Sequence, residues 1–388
     1  MRRRLVGLVA LAIPLRAASE PIVGSYPCDS FVQRYWRDTN SGWAERSAVE
    51  LLRDHGFEWM RFGVTMQSFP ELAAASDWTG LAWQGGYWSC REVGDRALAE
   101  ASAAGLRLDL MLFLSDTAAH GARQIPPTAW QAYDVPQTCH ALERYCFETA
   151  RHFRRQGLRI ELYELGNEIE RGILGFRPGE RIPLPPGIDQ LRNMEWMREH
   201  LWAPEAEMLK AAIGGLRRAD PTARIVLHIS TRPAPEDAIV VGFFEAMTAA
   251  GVPFDIAGLS YYPWIGYPSA PPTPDWRREL RGWVDGIARC SKPVLISEYS
   301  YPHHPPTPLP GMCAAPLPGY PFTPEGQAAW VREFLSWCEG HPNAVGSFYF
   351  YPDHLWRAEE PAARTEGLLA LEGGRLQPLP ALLAFPRW

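Results

Sequence analysis

An α/β fold, built as a single (β/α)8 (TIM) barrel with long loops on one face, is what this 388-residue sequence predicts. Three observations carry that expectation. Strand-like and helix-like segments alternate from residue 20 onward, the sequence form of a parallel sheet with crossover helices. Eight strand-like runs can be counted along the chain. No internal repeat, charge run or linker divides it, so residues 20–388 read as one domain, and 46% hydrophobic content over this length supplies a sizeable core.

The elements follow in order. Residues 1–19 combine Met1-Arg-Arg-Arg4, an apolar stretch from Leu5 to Leu15 and the small residues Ala17-Ala18-Ser19, which reads as a secretion signal too short to span a bilayer. Pro14 and Arg16 count against it, and a buried N-terminal segment is the other reading. Ile22 to Tyr26 is the first strand. A helical pattern from Ala48 to His55, stopped by Gly56, leads to the second, Trp59 to Val64. Another from Arg96 to Ala104, stopped by Gly105, leads to the third, Leu106 to Leu114. Both glycines stand where a helix C-cap wants one. The remaining strands are Ile160 to Leu165, Arg224 to Ile229, Ile256 to Tyr261, Val294 to Ser297 and Ala344 to Tyr351. Thr323-Pro324-Glu325 opens the helix before the last of them, with threonine as N-cap and proline at the first helical position. The proline-rich stretches Gly179 to Gly187, Tyr267 to Pro274 and Pro302 to Pro321 each follow a strand end. They read as ordered loops walling a groove rather than as linkers.

Composition excludes several classes. A formal net charge of -6 gives no basic footprint for nucleic acid or an anionic membrane surface, so neither is an expected partner. The seven cysteines lack the close pairs that bind zinc, and no metal or cofactor is expected. In an exported chain some would form disulfides and one would be left over. The expected protein is a monomer, secreted or periplasmic.

Chemistry concentrates at two strand ends. Arg159-Ile-Glu-Leu-Tyr-Glu-Leu-Gly-Asn-Glu168 and Lys292-Pro-Val-Leu-Ile-Ser-Glu298 each carry an apolar run into a glutamate. In a (β/α)8 barrel the carboxyl ends of the strands hold the active site. Two carboxylates there suit glycosidic bond cleavage, with one acid to protonate the leaving oxygen and one carboxylate to attack the anomeric carbon, about 5 to 5.5 Å apart if configuration is retained. Glu168 reads as the acid. Its neighbour Asn167 can hydrogen-bond the sugar hydroxyl beside the anomeric carbon. Glu298 reads as the nucleophile, which needs a cation to stay ionised, and Arg61 near the end of the second strand either supplies it or forms a structural ion pair in the barrel floor.

Tyr261 and Tyr262 close the sixth strand, and alternation sends only one of them inward to hold Glu298. Glu164 shares the strand parity of Glu168 but lies deeper, which favours a buried, paired role. His228 is either a satisfied core histidine or a substrate contact. Among the 16 tryptophans, Trp264 follows the sixth strand where it can stack on a sugar ring; Trp83, Trp88, Trp130 and Trp356 are weaker candidates.

At these residues the chain resembles glycoside hydrolase family 53, the arabinogalactan endo-β-1,4-galactanases, over about residues 40–352. Leu51 to Arg61 looks like the approach to that family's second strand and carries Arg61 onto its active-site arginine. Ser115-Asp116, Gln124, Pro127 and Trp130 follow the spacing of its third-strand loop, which makes Asp116 a substrate-binding candidate. Leu165-Gly-Asn-Glu168 resembles its acid/base motif, Phe254 to Pro263 its sixth strand, Lys292 to Glu298 its nucleophile strand, and Phe322-Thr-Pro-Glu-Gly-Gln327 the start of its seventh helix. The resemblance implies a retaining endo-glycosidase acting on β-1,4-galactan. Some relatives bind calcium in top-face loops, for which this chain shows no clear ligand run.

Two departures bear on specificity. Phe113-Leu114 stands where the family has His-Tyr, and Tyr349-Phe350-Tyr351-Pro352 replaces Tyr-Trp-Glu-Pro, which puts Phe350 near the sugar at the cleavage point. Cleavage of another β-linked glycan such as mannan or β-glucan, or a carbohydrate-binding barrel with weak turnover, are therefore the alternatives.

Overall fold

The computed structural model describes residues 21–26, 34–39, 42–69, 89–117, 124–189, 193–231, 237–267, 271–307, 311–356, 365–372 and 375–385. The expected secretion signal, Cys28, Trp83 and Trp88 lie outside the described residues.

Eight strands form the closed parallel barrel that the alternation predicts: β1 (Ile22–Tyr26), β2 (Trp59–Val64), β3 (Arg107–Leu112), β4 (Ile160–Leu165), β5 (Arg224–Ser230), β6 (Ile256–Tyr261), β7 (Val294–Tyr299) and β8 (Ala344–Phe350). Each pairs with its sequence neighbours, and β8 closes on β1. Apart from single exposed or half-buried positions near some strand ends, these runs are buried throughout, as strands with both faces covered must be.

The crossovers carry α1 (Ala48–Arg53), α2 (Arg91–Ala103), α3 (Val135–Arg155), α4 (Ala203–Ala219), α5 (Asp237–Ala249), α6 (Trp276–Ala288) and α7 (Pro324–Gly340). Local chemistry sets their starts. Asp134 caps α3 by accepting the Gln137 N–H at 2.8 Å while the Gln137 side chain accepts the Asp134 N–H at 2.9 Å. Thr323 caps α7 with Pro324 in the first turn, as expected, its hydroxyl accepting the Gly326 N–H. A widened helical stretch, Met197–Trp202, precedes α4. After β8 no eighth α-helix follows among the described residues. A small hairpin, Leu369–Glu372 with Arg375–Pro378, and a short turn of helix, Pro380–Ala384, take its place. The six described cysteines are all free thiols.

Inside the barrel the layers differ in chemistry. Ile22, Trp59, Leu162, Val226, Ile256, Leu295 and Phe348 fill the lower interior. Glycine makes room where rings meet strands: a Cβ on Gly24 would lie 2.3 Å from the Phe348 ring, and one on Gly63 would lie 2.4 Å from Met111 and 2.5 Å from Phe113. Tyr26, Met111 and Phe113 pack with Phe350 and Tyr351 at the mouth. Between these two apolar layers lies a polar one, and it holds the candidate site.

Candidate active site

Glu298 reaches the interior through a break in strand parity. Leu295 pairs with Gly258 and Glu298 with Ser260, so three residues of β7 span two of β6. This is a β-bulge. Leu295 faces inward with the lower core, and Ser297 faces inward too, since a Cβ on Gly258 would lie 2.5 Å from its hydroxyl. Simple alternation would then turn Glu298 toward the helices. The extra residue brings it into the barrel, where Arg61 Nη1 donates to Oε1 at 2.7 Å and the Tyr262 hydroxyl donates to Oε2 at 2.9 Å. Its neighbour Tyr299 faces outward, against Phe334 of α7 with ring centroids 4.3 Å apart.

Glu168 sits beyond the end of β4 in a left-handed backbone conformation, φ 55° and ψ 57°, at the head of the short helical turn Ile169–Arg171. A non-glycine residue there costs of order 1–3 kcal/mol and persists only where surrounding packing enforces it. Gly166 just before it has φ 76°, and a Cβ there would lie 2.1 Å from Ile169, so the turn admits nothing larger. Burial pushes the Glu168 carboxyl up to about 7, and the negative charges of Glu298 and Glu170 act in the same direction. Burial and the nearby Glu298 and Glu168 also push the Tyr262 phenol upward, so it remains a hydrogen-bond donor.

Arg61 ties the site together. Fully buried, it donates to Glu164 through Nε at 3.1 Å and again through Nη2, and from Nη2 to the Asn167 amide oxygen at 3.2 Å. Its plane also lies over the Tyr26 ring, 4.5 Å from the centroid. Arg61 thus pairs with the buried Glu164 and with Glu298 at once. Burial alone would raise the Glu164 carboxyl, but Arg61 and His228 overcome that and hold it well below the usual range. For Arg61 itself burial works downward, and the two carboxylates outweigh it. Asp109, beside Arg61 in the β2–β3 register, is fully buried with no described hydrogen-bond partner on either oxygen. Desolvation and the Glu164 charge push it far up, to the neutral acid, with Arg61 only partly compensating.

The other sequence-predicted residues divide. Asn167 is buried beside Arg61, its carbonyl held by Gln124 Nε2 at 3.1 Å. Tyr261 corrects an expectation: it turns outward, its hydroxyl donating to Trp276 O and Glu279 on α6, so Tyr262 alone of the pair reaches Glu298. His228 is likewise corrected from substrate contact to support. It is fully buried, with Nε2 2.8 Å from the Ser260 hydroxyl and Nδ1 2.7 Å from Glu164. Trp264, expected as an open stacking platform, is 6% exposed. Its Nε1 donates to Ser300 O, and its ring braces Tyr262 edge-on at 6.4 Å.

Asp116 is half-buried in the loop after β3 and burial raises its carboxyl. Trp130 stacks on Tyr133 rather than on a neighbour from the site. Trp356 belongs to a two-residue strand paired with the hairpin that follows β8. Phe350 is half-buried at the mouth, edge-on to Tyr26 at 5.7 Å and to Tyr262 at 5.9 Å. Of the two departures in the third loop, only Phe113 joins it there; Leu114, with φ 52°, turns into the outer core.

Ser260 was not foreseen. Its hydroxyl lies 3.4 Å from Glu298 Oε2, next to His228, and also bonds Glu168, so it stands between the two carboxylates. Ser260 shares the parity of Ile256 and Tyr262, and only the closed barrel shows that this face of β6 is the inner one. No group of three or more His, Cys, Asp or Glu side chains among the described residues is arranged to hold a metal ion. A groove of about 930 Å³ between α5 and α6, lined by Arg198, Gly242 and Trp283 among others, lies on the helical exterior away from this chemistry.

The sequence model of glycosyl hydrolase family 53 matches residues 30–384. A probable arabinogalactan endo-beta-1,4-galactanase A of Aspergillus tubingensis is 26% identical over 256 residues, covering 64% of this chain and 65% of that protein. The chain thus spans less than two thirds of that relative's length. An arabinogalactan endo-beta-1,4-galactanase of Humicola insolens is 25% identical over 296 residues, covering 74% and 79%. In fold, the chain superimposes on a fungal beta-1,4-galactanase structure with a TM-score of 0.70 at 21% identity, covering 95% and 99%. The GH53 catalytic domain of Ignisphaera aggregans gives 0.68 at 20%, covering 96% and 99%. A match along nearly the whole chain, on a barrel that brings Arg61, Asn167, Tyr262 and two glutamates to one mouth, means that the chain belongs to glycosyl hydrolase family 53.

Proposed function

We propose that this chain is a retaining endo-glycosidase that hydrolyses β-1,4-galactan by double displacement, with Glu298 as nucleophile and Glu168 as acid/base. The observation that carries the reading is the opposite treatment of the two carboxylates. Glu298 accepts a hydrogen bond on each oxygen, from Arg61 and from Tyr262, and carries no proton donor role. Glu168 is pushed up to about 7 by burial and by the charge of Glu298, so it holds a proton near neutrality.

In the first step the Glu168 proton passes to the glycosidic oxygen as its bond to the anomeric carbon breaks, and a Glu298 oxygen bonds that carbon. The ionised Glu168 then takes a proton from water, whose oxygen displaces Glu298 and restores both groups. Asn167, oriented by Arg61 and Gln124, is the candidate partner for the neighbouring sugar hydroxyl. Asp116 and Phe350 are candidate substrate contacts at the mouth. The galactanase names of relatives support galactan as the substrate. The pattern of residues 1–19 supports action outside the cytoplasm, and the net charge of -6 gives no basic footprint for nucleic acid or an anionic membrane surface.

One observation favours a second reading of the polymer. Phe113 and Phe350 give the mouth an apolar wall of Tyr26, Met111 and Tyr351 where a polar contact would discriminate sugar epimers. The test is a hydrolysis panel of galactan, mannan, xylan and β-glucan, with NMR of the first-formed anomer. Galactan cleavage with retained configuration is expected. Inverted product would overturn the role of Glu298, and turnover confined to another polymer would move the substrate to the second reading.

A further inference from the structure

Two buried acids stand behind the Glu168 turn. Glu170 is 5% exposed. Its Oε2 accepts the Ser230 N–H at 2.9 Å where β5 ends, and Arg171 Nε lies 3.7 Å from Oε1. The Glu170 carbonyl accepts a hydrogen bond from Trp202 Nε1 at 2.9 Å, which fixes the turn to the approach to α4. In the first turn of α4 sits Glu205, 1% exposed, and no described donor reaches either of its carboxyl oxygens. The mechanism proposed above uses neither acid.

Two neighbouring carboxyls in a desolvated pocket do not both ionise, and the charge settles on the one with donors. Glu170 has the Ser230 amide and Arg171. Glu205 has neither, and burial reinforced by the Glu170 charge pushes it far above the carboxylate range. Glu170 is raised as well by burial, but less far, because Arg171 and the Ser230 N–H oppose the shift. The proton of the pair therefore resides on Glu205 and the charge on Glu170. That charge lies two residues from Glu168.

We propose that Glu170, kept charged beside a protonated Glu205, is a positioning residue that holds Glu168 in its acid form at neutral pH. The proposal rests on the reading of Glu168 as acid/base. The other groups facing Glu168 are Glu298 on β7, Ser260 on β6, Tyr262 just after it, and His228 on β5. Glu298 acts in the same direction as Glu170; His228 and the Ser260 hydroxyl oppose it. Those facing Glu170 are Arg171, His228 and Glu205.

The test is a carboxyl-13C NMR titration of the full chain with labelled glutamate, the Glu168 signal being assigned by its loss in Glu168→Gln. Glu170→Gln keeps an acceptor for the Ser230 amide but removes the charge, and should lower the Glu168 midpoint by about one pH unit. Glu205→Gln exchanges one neutral group for another and should leave the midpoint in place. An unmoved midpoint in Glu170→Gln, or an equal shift in Glu205→Gln, overturns the proposal. If Glu170→Gln does not accumulate, Glu170→Met carries the same expectation. Turnover on galactan and the other three polymers is measured in parallel. Turnover that survives in Glu168→Ala would sink the acid/base reading, while the NMR shift reports on Glu170 separately.

Discussion

Replacing Arg61 by lysine keeps the charge and removes the fork, so it tests whether geometry or charge holds the site. The guanidinium serves Glu164 through Nε and Nη2, Glu298 through Nη1 and Asn167 through Nη2. A lysine places three donors on one atom and cannot span partners on β4, on β7 and beyond. It loses at least two hydrogen bonds to charged groups, each contributing about 1.5–3 kcal/mol, or about 3–6 kcal/mol in all. When the ammonium stays with Glu164, Glu298 is left as a buried carboxyl without its cation, a loss of about 3–5 kcal/mol. Arg61→Lys should therefore lower unfolding stability by about 3–5 kcal/mol, read from urea denaturation at neutral pH. If the ammonium stays with the deeper Glu164, Glu298 loses one such bond, and kcat/KM should fall about 10- to 150-fold. A variant within about 1 kcal/mol of the parent in stability, and within about twofold in kcat/KM, would refute the claim that the planar fork matters.

Glu168→Ala should slow polymer cleavage far more than release of an activated aryl leaving group, which hardly needs an acid; equal losses would exclude Glu168 from that role. In the parent the alkaline limb of kcat/KM should fall near pH 7, where Glu168 loses its proton, and a limb well above that would contradict its burial. Asp109 has a folded-state pKa above its unfolded value, so its contribution to stability is complete below about pH 3.9 and is lost as pH rises toward the folded titration, by about 1.4 kcal/mol per pH unit. Asp109→Asn lacks that loss, and urea unfolding should show the variant gaining on the parent between acid and neutral pH; parallel curves would mean Asp109 is ionised when folded. Gly63→Ala puts a methyl 2.4 Å from Met111 and 2.5 Å from Phe113 and should cost about 1–3 kcal/mol, while an unchanged melting curve would show that the mouth repacks freely.

Much of this arrangement was legible because apolar runs and punctuation agree. The eight barrel strands, the Thr323 cap and the location of both glutamates at strand ends follow from patterns that span only a few residues. The Arg61–Glu164 pair joins residues 103 apart in the chain. Its partnership depends on barrel register, which local sequence does not encode, although the depth of Glu164 did point to a paired role. Tyr261 and Tyr262 show the limit of parity: alternation says that one faces inward, and only closure of the barrel says which. Phe113 and Leu114, both read as the end of the third strand, lie beyond it: Leu114 has a left-handed φ of 52° and packs into the outer core, while Phe113 stays at the mouth. That no eighth α-helix follows β8 among the described residues reflects a similar gap, because the helices before it set no requirement for what covers the last strand.

The bulge in β7 has a consequence for how the site can change over time. Arg61 and Tyr262 meet Glu298 because of how many residues lie between Leu295 and Glu298, and no exchange of one side chain for another alters that count. Point substitutions at Leu295, Ile296 or Ser297 change the packing around the bulge and leave the facing of Glu298 as it is. Loss of a single codon between Leu295 and Glu298 would close the bulge and set Glu298 two residues after Leu295, so plain alternation would still turn it inward, in the place that Ser297 holds against Gly258. The bulge thus adds Ser297 to the interior without changing the face that Glu298 takes, and a strand without it would still turn this carboxylate inward.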